Sequence, residues 1–472
     1  MVWATRTHWG EASLKQQGTA AGDGITVLGA PVGYDGFLKE GLRAKVEKVR
    51  QLTALLPLLR DPHSEFVLLR SCLSLPKVMF LLRALDTSSY GDLLEEFDLI
   101  TRDALSRILG RPVSNVQWEQ TKLPLSMGGL GLRAAADHAP VAHAVSLIAA
   151  QPLISDLLGK NEEEEDAFTL PAPLLDSISA RQGEEVVTES LVGVTQKMAS
   201  LKIDLHNHSL LVNFFKAGGD VRENARMASL GLPHAGDWLT LVPCPALGLH
   251  LRGPEFVACL KYRLGMPVFL HNGLCPACHH QSDRLGDHAL GCQQTGDRIA
   301  RHNRLRDVLW EAAAGAALGP VREERHLLPG TAAKPADILI PRWMDGKDGA
   351  LDVTVTSPLS ASNVAAAAAE AGGALLKAVK RKVQGAAQAC QDQGLSFLPV
   401  AAETLGGLHK TACEQIKRIG TSVARQSGGD ERIATRQLYQ RFALTLMRGN
   451  AALLISRSPD ADVLPPEVDG SA

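Results

Sequence analysis

Apolar residues recur at helical spacing through the first third of the chain. Over 41–59 they fall at the positions that one face of a helix presents, and over 64–85 the same pattern is denser. A glycine-punctuated loop at 123–133 then leads into a further helix over about 139–158. Together these segments predict an all-α module over 25–158.

Changes in composition divide the rest of the chain. The acidic run at 161–166 is typical of a solvated segment, so we predict a linker over 159–184. Helical spacing resumes after it and predicts a helical connector over 185–270. The two ends, 1–24 and 456–472, are expected to be disordered.

The pattern becomes richer in β-formers after residue 310. The runs Asp337–Ile340 and Leu351–Thr356 are short and apolar, and they predict two adjacent strands. A helix is expected over about 363–391. The predicted fold class is therefore mixed, with an N-terminal all-α module, a small metal knuckle and a C-terminal α/β domain over 305–455.

Length and composition limit the class of protein. A chain of 472 residues is too long for one ordinary core, so two to four domains are expected. The net charge is -2, yet residues 301–450 carry 20 Lys and Arg against 14 Asp and Glu, an excess that is compatible with a polyanionic partner. No run of 18 apolar residues occurs, and the first residues lack the apolar core of a signal peptide. We expect a soluble, intracellular protein without a membrane partner.

Three of the eight cysteines lie close together in a pattern typical of a metal site. The pattern is Cys-x2-Cys-x9-His-x3-Cys, formed by Cys275, Cys278, His288 and Cys292. Zinc takes four such ligands in a tetrahedron, so we predict a structural Zn²⁺ in a knuckle over 271–304. His302 is either a supporting group, an alternative ligand or part of the polar face of the next helix.

Two aspartates and a group of lysines form a second candidate site. Asp337 and Asp352 lie on the two predicted strands, where their carboxylates could converge at neighbouring strand ends. Two carboxylates are the hard ligands that Mg²⁺ accepts, which is how a nuclease holds its metal. The lysines Lys377, Lys380 and Lys382 follow on the predicted helix. The plain alternative is that the aspartates cap turns and that the lysines form a solvated face.

A His-x-His motif, His206 and His208, matches the first metal motif of barrel-type metal-dependent hydrolases. That motif requires a preceding buried strand and further ligands at later strand ends. The flanking residues, 196–202 and 210–215, have helical spacing instead, and no βα repeat follows. A hydrolase acting through these histidines is the weaker alternative, and surface or helix-capping histidines are expected.

Several segments, taken in this order, resemble one family. Val27–Phe37, Leu69–Cys72 and the loop at 123–133 resemble the segment that follows the polymerase palm in reverse transcriptases of non-LTR retrotransposons. The knuckle pattern followed by Pro-x-Asp and Asp-Val-Thr resembles the C-terminal half of those elements that cut DNA with a restriction-like endonuclease. The resemblance covers about 25–455.

The resemblance implies a set of site residues. It implies that Asp337 and Asp352 bind a catalytic Mg²⁺ or Mn²⁺. By analogy with related resolvase-like folds, Glu324 would add a further carboxylate. The basic residue that precedes the family's Pro-Asp pair matches Lys334.

The resemblance also guides the choice of a catalytic lysine. Restriction-type sites usually carry a lysine two residues after the second acid, where this chain has Thr354, and the family takes its lysine from the next helix instead. The apolar stripe predicted on that helix consists of Leu375, Leu376, Val379 and Val383. Lys382 lies at the edge of this stripe and is preferred, with Lys380 in reserve. The aromatic residue that often follows this lysine in the family is absent.

A reverse transcriptase holds its metal ions on a pair of adjacent aspartates, and no Asp-Asp pair occurs in this sequence. The chain is therefore expected not to polymerise DNA alone, and residues 25–158 are expected to be a thumb-like module. The leading prediction is a metal-dependent DNA endonuclease of retrotransposon origin in the nucleus. Its partners would be DNA or RNA and a polymerase-bearing protein of the element. The alternative is a nucleic-acid-binding remnant without catalysis.

Overall fold

Two compact units make up the described part of the chain. The computed structural model describes residues 24–158, 168–322 and 336–459. These residues are mostly helical, with a small mixed sheet in the C-terminal region. None of the helices described is both long and apolar enough to cross a membrane.

Unit 1 covers the chain up to Arg60, Glu65–Pro124 and Gly131–Leu211. The elements from the start of the described chain through this unit are β1 (Gly24–Val27), β2 (Ala30–Gly33), α1 (Asp35–Ala54), α2 (Pro62–Leu68), α3 (Met79–Ala84), α4 (Gly91–Leu109), α5 (Asn115–Lys122), α6 (Ala135–Leu158), α7 (Ala172–Gln182), α8 (Thr188–Leu191) and α9 (Gln196–Ala217). β1 and β2 form an antiparallel hairpin. Helix α1 packs against α4, and its buried face, with Leu42 and Val46 one turn apart, joins Phe97 in the main core of the unit.

The dense apolar segment at 64–85 does not form one helix. Helix α2 ends at Leu68, a π turn and a 3-10 turn follow, and α3 begins at Met79. Pro76 lies in the interruption, where it has no N–H to donate to a helical ladder and restricts the residue before it. Ser74 is extended, with φ -87° and ψ -150°.

Within the linker predicted over 159–184, the described residues from 168 onward contain helix α7. Leu174 and Ile178 of α7 are buried in a cluster that also holds Val141 and Ile203. The acidic run that favours a linker lies outside the described residues, as do most of the two ends predicted to be disordered. Helix α7 therefore belongs to the packed core of unit 1.

Unit 2 comprises Asp61–Ser64, Leu125–Leu130 and the chain from Val212 onward. Its elements are α10 (Val221–Leu230), α11 (Gly253–Arg263), β3 (Gly273–Leu274), β4 (Gln281–Ser282), α12 (Asp287–Gly291), α13 (Asp297–Gly315), β5 (Val321–Arg322), β6 (Ile338–Met344), β7 (Lys347–Thr356), α14 (Val364–Ala369), α15 (Gly373–Asp392), β8 (Ser396–Glu403), α16 (Lys410–Ser427) and α17 (Glu431–Ser456). Helix α17 packs against α11, α13 and α16.

A four-stranded mixed sheet in the order β5-β6-β7-β8 organises the C-terminal region. β6 runs antiparallel to β5 and β7, whereas β8 runs parallel to β7, with Leu351 opposite Leu398. The predicted pairing of Asp337–Ile340 with Leu351–Thr356 is confirmed, because Ile338 lies opposite Leu351. β7 is buried from Gly349 to Thr354, a stretch that includes Asp352.

The helix expected over 363–391 is two helices, α14 and α15. Between them Gly372 adopts a left-handed φ of 82°, which a residue with a Cβ rarely tolerates. Helix α15 packs against β7 and β8. Because the chain turns at Gly372, helix α15 does not continue the axis of α14 and can pack along the sheet.

Candidate functional site

The four predicted metal ligands come from the hairpin β3–β4 and the short helix α12. Cys275 follows β3 directly, and Cys278 lies in the connection between the two paired strands. His288 lies in α12, and Cys292 is the first residue after that helix. His279 turns the chain between the strands with a left-handed φ of 59°.

The ligand atoms of these residues lie close together. Cys275 Sγ is 3.9 Å from Cys292 Sγ, and Cys278 Sγ is 3.2 Å from His288 Nε2. All four ligand atoms lie within 4.8 Å of one another, slightly wider than the separations of about 3.5–3.8 Å that zinc–ligand bonds imply. These four residues could hold a metal ion, and no other such group of three or more ligands converges within the described ranges.

The surroundings of His288 and Cys292 favour the forms of these two ligands that bind metals, whereas the pKa of Cys278 is raised. Burial lowers the pKa of His288 and so favours the neutral imidazole. Burial acts to raise the pKa of Cys292, but hydrogen bonds from the backbone of Gln294 and from Arg457 outweigh it, so that the pKa of this thiol is lowered. Asp283 accepts the backbone N–H of His288 at 2.7 Å and thereby fixes the start of α12.

Antiparallel pairing of β6 with β7 brings the two predicted acids close together. Asp337 directly precedes β6, and its backbone N donates to O of Leu351, the residue before Asp352, at 2.9 Å. Asp337 Oδ2 also accepts the backbone N–H of Val353 at 2.6 Å. The first acid is thus tied to the strand that carries the second.

Each acid has a nitrogen partner from a flanking helix. Lys382 Nζ, from α15, lies 2.9 Å from Asp352 Oδ2 and 3.1 Å from Oδ1. His302 Nε2, from α13, lies 3.0 Å from Asp337 Oδ1. We call His302, Asp337, Asp352 and Lys382 the acid cluster.

Burial and a neighbouring carboxylate both disfavour the ionised form of Asp352. Burial raises the pKa of Asp352; Lys382 acts against this rise, and the neighbouring Asp337 adds to it. The side chain of Asp352 is 10% exposed and that of Lys382 is 34% exposed, so water can reach the ammonium more easily than the carboxylate. The cluster offers hard oxygen atoms to a cation, with an ammonium and an imidazole beside them.

The other residues predicted for this site lie elsewhere. Lys380 is exposed, and Lys377 donates to Ser362 O at 2.7 Å, so neither contacts the acids. Glu324 and Lys334 lie outside the described residues. Among the lysines predicted on this helix, Lys382 is therefore the one that meets an aspartate of the pair.

The buried face of α15 also differs from the predicted stripe. Leu376 is 47% exposed and Val383 is 40% exposed, so neither faces the core. The residues of α15 that are buried are Ala374, Leu375, Ala378 and Cys390. Lys382 follows Ala378 by one turn on this face of mostly small residues, which brings its long side chain to Asp352.

His206 and His208 lie in the middle of helix α9, so the barrel-type metal site is not formed at this motif. Asp204, from the same motif, is instead bound by Arg133, whose Nε lies 3.1 Å from its Oδ1. The predicted helical flanks are confirmed. A strand end, which the hydrolase reading requires, is absent here because helical spacing continues through the motif.

His302 is the residue of the acid cluster that the sequence pattern misplaces. The pattern associates it with the zinc ligands or with a polar helix face, whereas the structure puts it on Asp337. His302 lies three and seven residues before Leu305 and Leu309, which are both fully buried. Residues at these spacings share one helix face, so the spacing predicts that His302 lies on the inward face of α13. That face of α13 packs against β6 and β7.

Comparison of the sequence with protein families finds no family that matches the chain. Comparison with curated proteins finds no significant match either. The functional argument consequently depends on the geometry of the acid cluster and of the four-ligand group.

Proposed function

We propose that this chain is a metal-dependent endonuclease that nicks DNA, derived from a non-LTR retrotransposon and lacking a polymerase site of its own. The observation that carries the proposal is the acid cluster. Asp337, just before β6, is hydrogen-bonded to the residue that follows Asp352 in β7, and a lysine from helix α15 lies 2.9 Å from Asp352. Metal-dependent phosphodiester cleavage uses carboxylates to hold the metal and a cationic side chain to stabilise developing charge.

The order of elements supports the same proposal. Helix α13, strands β5 to β7, helices α14 and α15 and strand β8 follow one another, with Asp337 just before β6, Asp352 in β7 and Lys382 in α15. This is the arrangement expected of a restriction-like endonuclease. Position 354, where a restriction-type site usually has its lysine, holds a threonine. Lys382 from helix α15 would supply the ammonium group instead.

The acid cluster has donors that fit a hard divalent cation. Asp352 Oδ2 is buried and accepts no hydrogen bond of good geometry, although Lys382 lies 2.9 Å away. Asp337 and Asp352 would hold Mg²⁺ or Mn²⁺, which supplies charge neutralisation at the phosphate and a more acidic water. His302 and the N–H of Val353 fix the orientation of Asp337. Lys382, once released from Asp352, would stabilise the negative charge that develops on the phosphate.

We further propose that the four-ligand group holds a structural Zn²⁺. Three cysteines and one histidine form a donor set that zinc prefers, and all four positions of a tetrahedron are filled by the protein, as in structural sites. Helix α13 begins five residues after Cys292 and carries His302. The metal would therefore fix the start of the helix that reaches the acid cluster.

Nicking of supercoiled plasmid by the purified full chain tests the proposal. We expect nicking with Mg²⁺ or Mn²⁺ and none with EDTA. Asp352→Asn should reduce the nicking rate about 100-fold or more, because it removes a ligand charge. Its matched control is Asp345→Asn, which makes the same change in the exposed turn between β6 and β7.

The lysine has an equally close control on the same helix. Lys382→Gln should lose most nicking, whereas Lys380→Gln, two residues away and exposed, should keep it. DNA binding by all four variants should stay near that of the wild type, because binding is spread over many phosphate contacts. Wild-type nicking by Asp352→Asn would reject this site.

Binding of nucleic acid without cleavage is the second candidate function. One observation favours it: each acid of the cluster already has a nitrogen partner, which is also how a purely structural ion pair would look. A wild-type chain that binds DNA but shows no nicking with either Mg²⁺ or Mn²⁺ would favour this function.

A further inference from the structure

A cavity of about 410 Å³ in unit 2 is lined by cationic side chains. Lys417 comes from α16, and Arg432 and Arg436 come from the first two turns of α17. Within the described part of the chain none of these three side chains has an ion-pair or hydrogen-bond partner. None of them belongs to the acid cluster or to the four-ligand group.

The acidic side chains of the cavity are already engaged with other partners. Asp237 accepts from His234 Nδ1 at 2.7 Å, and Glu431 lies 3.3 Å from Nε of Arg425, which is not part of the cavity wall. Neither carboxylate forms an ion pair with the three cations, which are exposed to solvent. Three neighbouring cations make the local potential positive, which attracts an anion.

One wall of the cavity is aromatic. The ring of His234 stacks on that of Tyr439, with centroids 3.6 Å apart and planes 12° apart. Burial acts to lower the pKa of His234, but the hydrogen bonds with Asp237 and Cys413 outweigh it and raise the pKa to about 9, so the ring is charged at neutral pH. A flat, cationic ring is a good stacking partner for a nucleobase.

Two hydroxyl groups complete the lining. Thr421 and Thr435 both border the cavity, and each can donate a hydrogen bond to a phosphate oxygen. Guanidinium groups bind phosphate in a forked geometry that a single ammonium cannot offer. The volume lies within the range of cavities that hold small ligands. Cations, hydroxyls and an aromatic wall together match a phosphate ester attached to a base.

We propose that this cavity binds a nucleotide unit, with Lys417, Arg432 and Arg436 holding its phosphate and the His234–Tyr439 pair facing its base. The site binds without cleaving, and it does not depend on the nuclease proposal. The nucleotide comes either from solution or from a nucleic-acid strand, since both carry the same chemistry.

Calorimetric titration of the full chain, in buffer without added divalent cations, tests this site. The ligands are dTMP, inorganic phosphate, thymidine and a ten-nucleotide oligothymidylate. We expect dTMP to bind more tightly than phosphate, and thymidine to bind at least tenfold more weakly than dTMP. Arg432→Gln and Arg436→Gln should each weaken dTMP binding about tenfold, the value of one charge-assisted hydrogen bond.

Lys216→Gln is the matched control, because Lys216 is an exposed lysine of α9 in unit 2 that does not line the cavity. It should change affinity less than twofold.

Oligothymidylate binding more than tenfold tighter than dTMP, and weakened equally by the arginine variants, would assign the site to a strand. Equal affinities would assign it to a free nucleotide. Unchanged binding in both arginine variants, or no binding of dTMP and oligothymidylate by the wild type, would overturn the proposal while leaving the nicking assay unaffected.

Discussion

Single side chains hold the two acids of the acid cluster in different ways. Asp337 is fixed on both oxygens, by His302 and by the N–H of Val353. Asp352 is buried beside the long, flexible side chain of Lys382. The first acid is thus set in one orientation, whereas the partner of the second can move away when a cation or a phosphate arrives.

Replacing His302 with alanine should weaken the use of Mg²⁺ in nicking. Groups that orient metal ligands typically contribute about 10- to 100-fold to metal affinity, so we expect the Mg²⁺ concentration for half-maximal nicking to rise by about that factor. The rate at saturating Mg²⁺ should fall less. His302→Gln can still donate a hydrogen bond to Asp337 and should restore part of the effect. An unchanged Mg²⁺ requirement in His302→Ala would exclude this positioning role.

Glu403, the last residue of β8, should make the stability of the protein depend on pH. It is fully buried, and burial raises its pKa from 4.5 to about 7, against the opposing effect of the nearby Ser229 hydroxyl. The folded protein therefore keeps a proton that the unfolded chain has released, and stability is lost as pH rises from about 4.5 through 7. Glu403→Gln should be more stable than the wild type at pH 8, by up to about 3 kcal/mol, and nearly equal at pH 4.

Urea unfolding of wild type and Glu403→Gln at pH 4 and pH 8 measures this difference. Glu414→Gln is the control, because Glu414 is exposed on the neighbouring helix α16 and should change stability little at either pH. A stability difference between wild type and Glu403→Gln that stays the same at both pH values would contradict the prediction.

Sequence reasoning found some of these residues and missed others for physical reasons. The aspartates stand out because an acid within an apolar, β-rich run is unusual, and the order of motifs directs attention to a lysine on the next helix. The choice of Lys382 relied on a stripe that includes Leu376 and Val383, which are exposed. The spacing of His302 from Leu305 and Leu309 indicates its helix face, but its partner Asp337 is 35 positions away, which periodicity does not record.

At the scale of elements, the break between α14 and α15 should depend on Gly372. Its φ of 82° would place a Cβ in a conformation that costs roughly 1–2 kcal/mol for other residues. Gly372→Ala should therefore lower the free energy of unfolding by about that amount. Gly385→Ala is the matched control in the interior of α15, where an added Cβ would meet nothing within 4 Å.

Gly385→Ala should raise the free energy of unfolding by about 0.5–1 kcal/mol, because alanine is the better helix former. Urea unfolding of both variants checks the opposite signs. Destabilisation by both variants, or by neither, would contradict the strain expected for a residue with a Cβ at position 372.

The strands were more predictable than the helices they pack with. β-branched residues in the two segments predict β6 and β7, and the short turn between them predicts that they pair. The break at Gly372 and the interruption around Pro76 carry local signals in a glycine and a proline, but helical spacing on both sides masks them. Helix α7 is weakly amphipathic, and Leu174 and Ile178 reveal its role only through contacts with residues far away in sequence.

For the whole molecule, the sequence indicates several cores but not their limits. The acidic run at 161–166 suggests a boundary, whereas the compact units divide within α9, after Leu211. Short segments at 61–64 and 125–130 group with unit 2 although their neighbours in sequence group with unit 1. Such a division is set by contacts between distant residues, which neither composition nor periodicity records.

Two compact units with separate cores should give two thermal transitions, and only one of them should respond to metal. Differential scanning calorimetry with and without a zinc chelator measures this. We expect the chelator and Cys275→Ser to lower the transition of unit 2 by several degrees, since a structural zinc contributes its binding free energy to folding. Elemental analysis should find about one zinc per wild-type chain and much less in Cys275→Ser.

A variant in unit 1 identifies the other transition. Ser114 caps α5, accepting the N–H of Gln117 in a reciprocal capping box, so Ser114→Ala should cost about 1 kcal/mol and lower the transition of unit 1 by about 2–4 °C. Cys72→Ser, at an exposed cysteine of unit 1, should leave both transitions and the zinc content unchanged. If Cys275→Ser and Ser114→Ala lowered the same transition, the zinc would be stabilising the chain as a whole. If Cys275→Ser kept the zinc content of the wild type, the four-ligand group would not hold the metal.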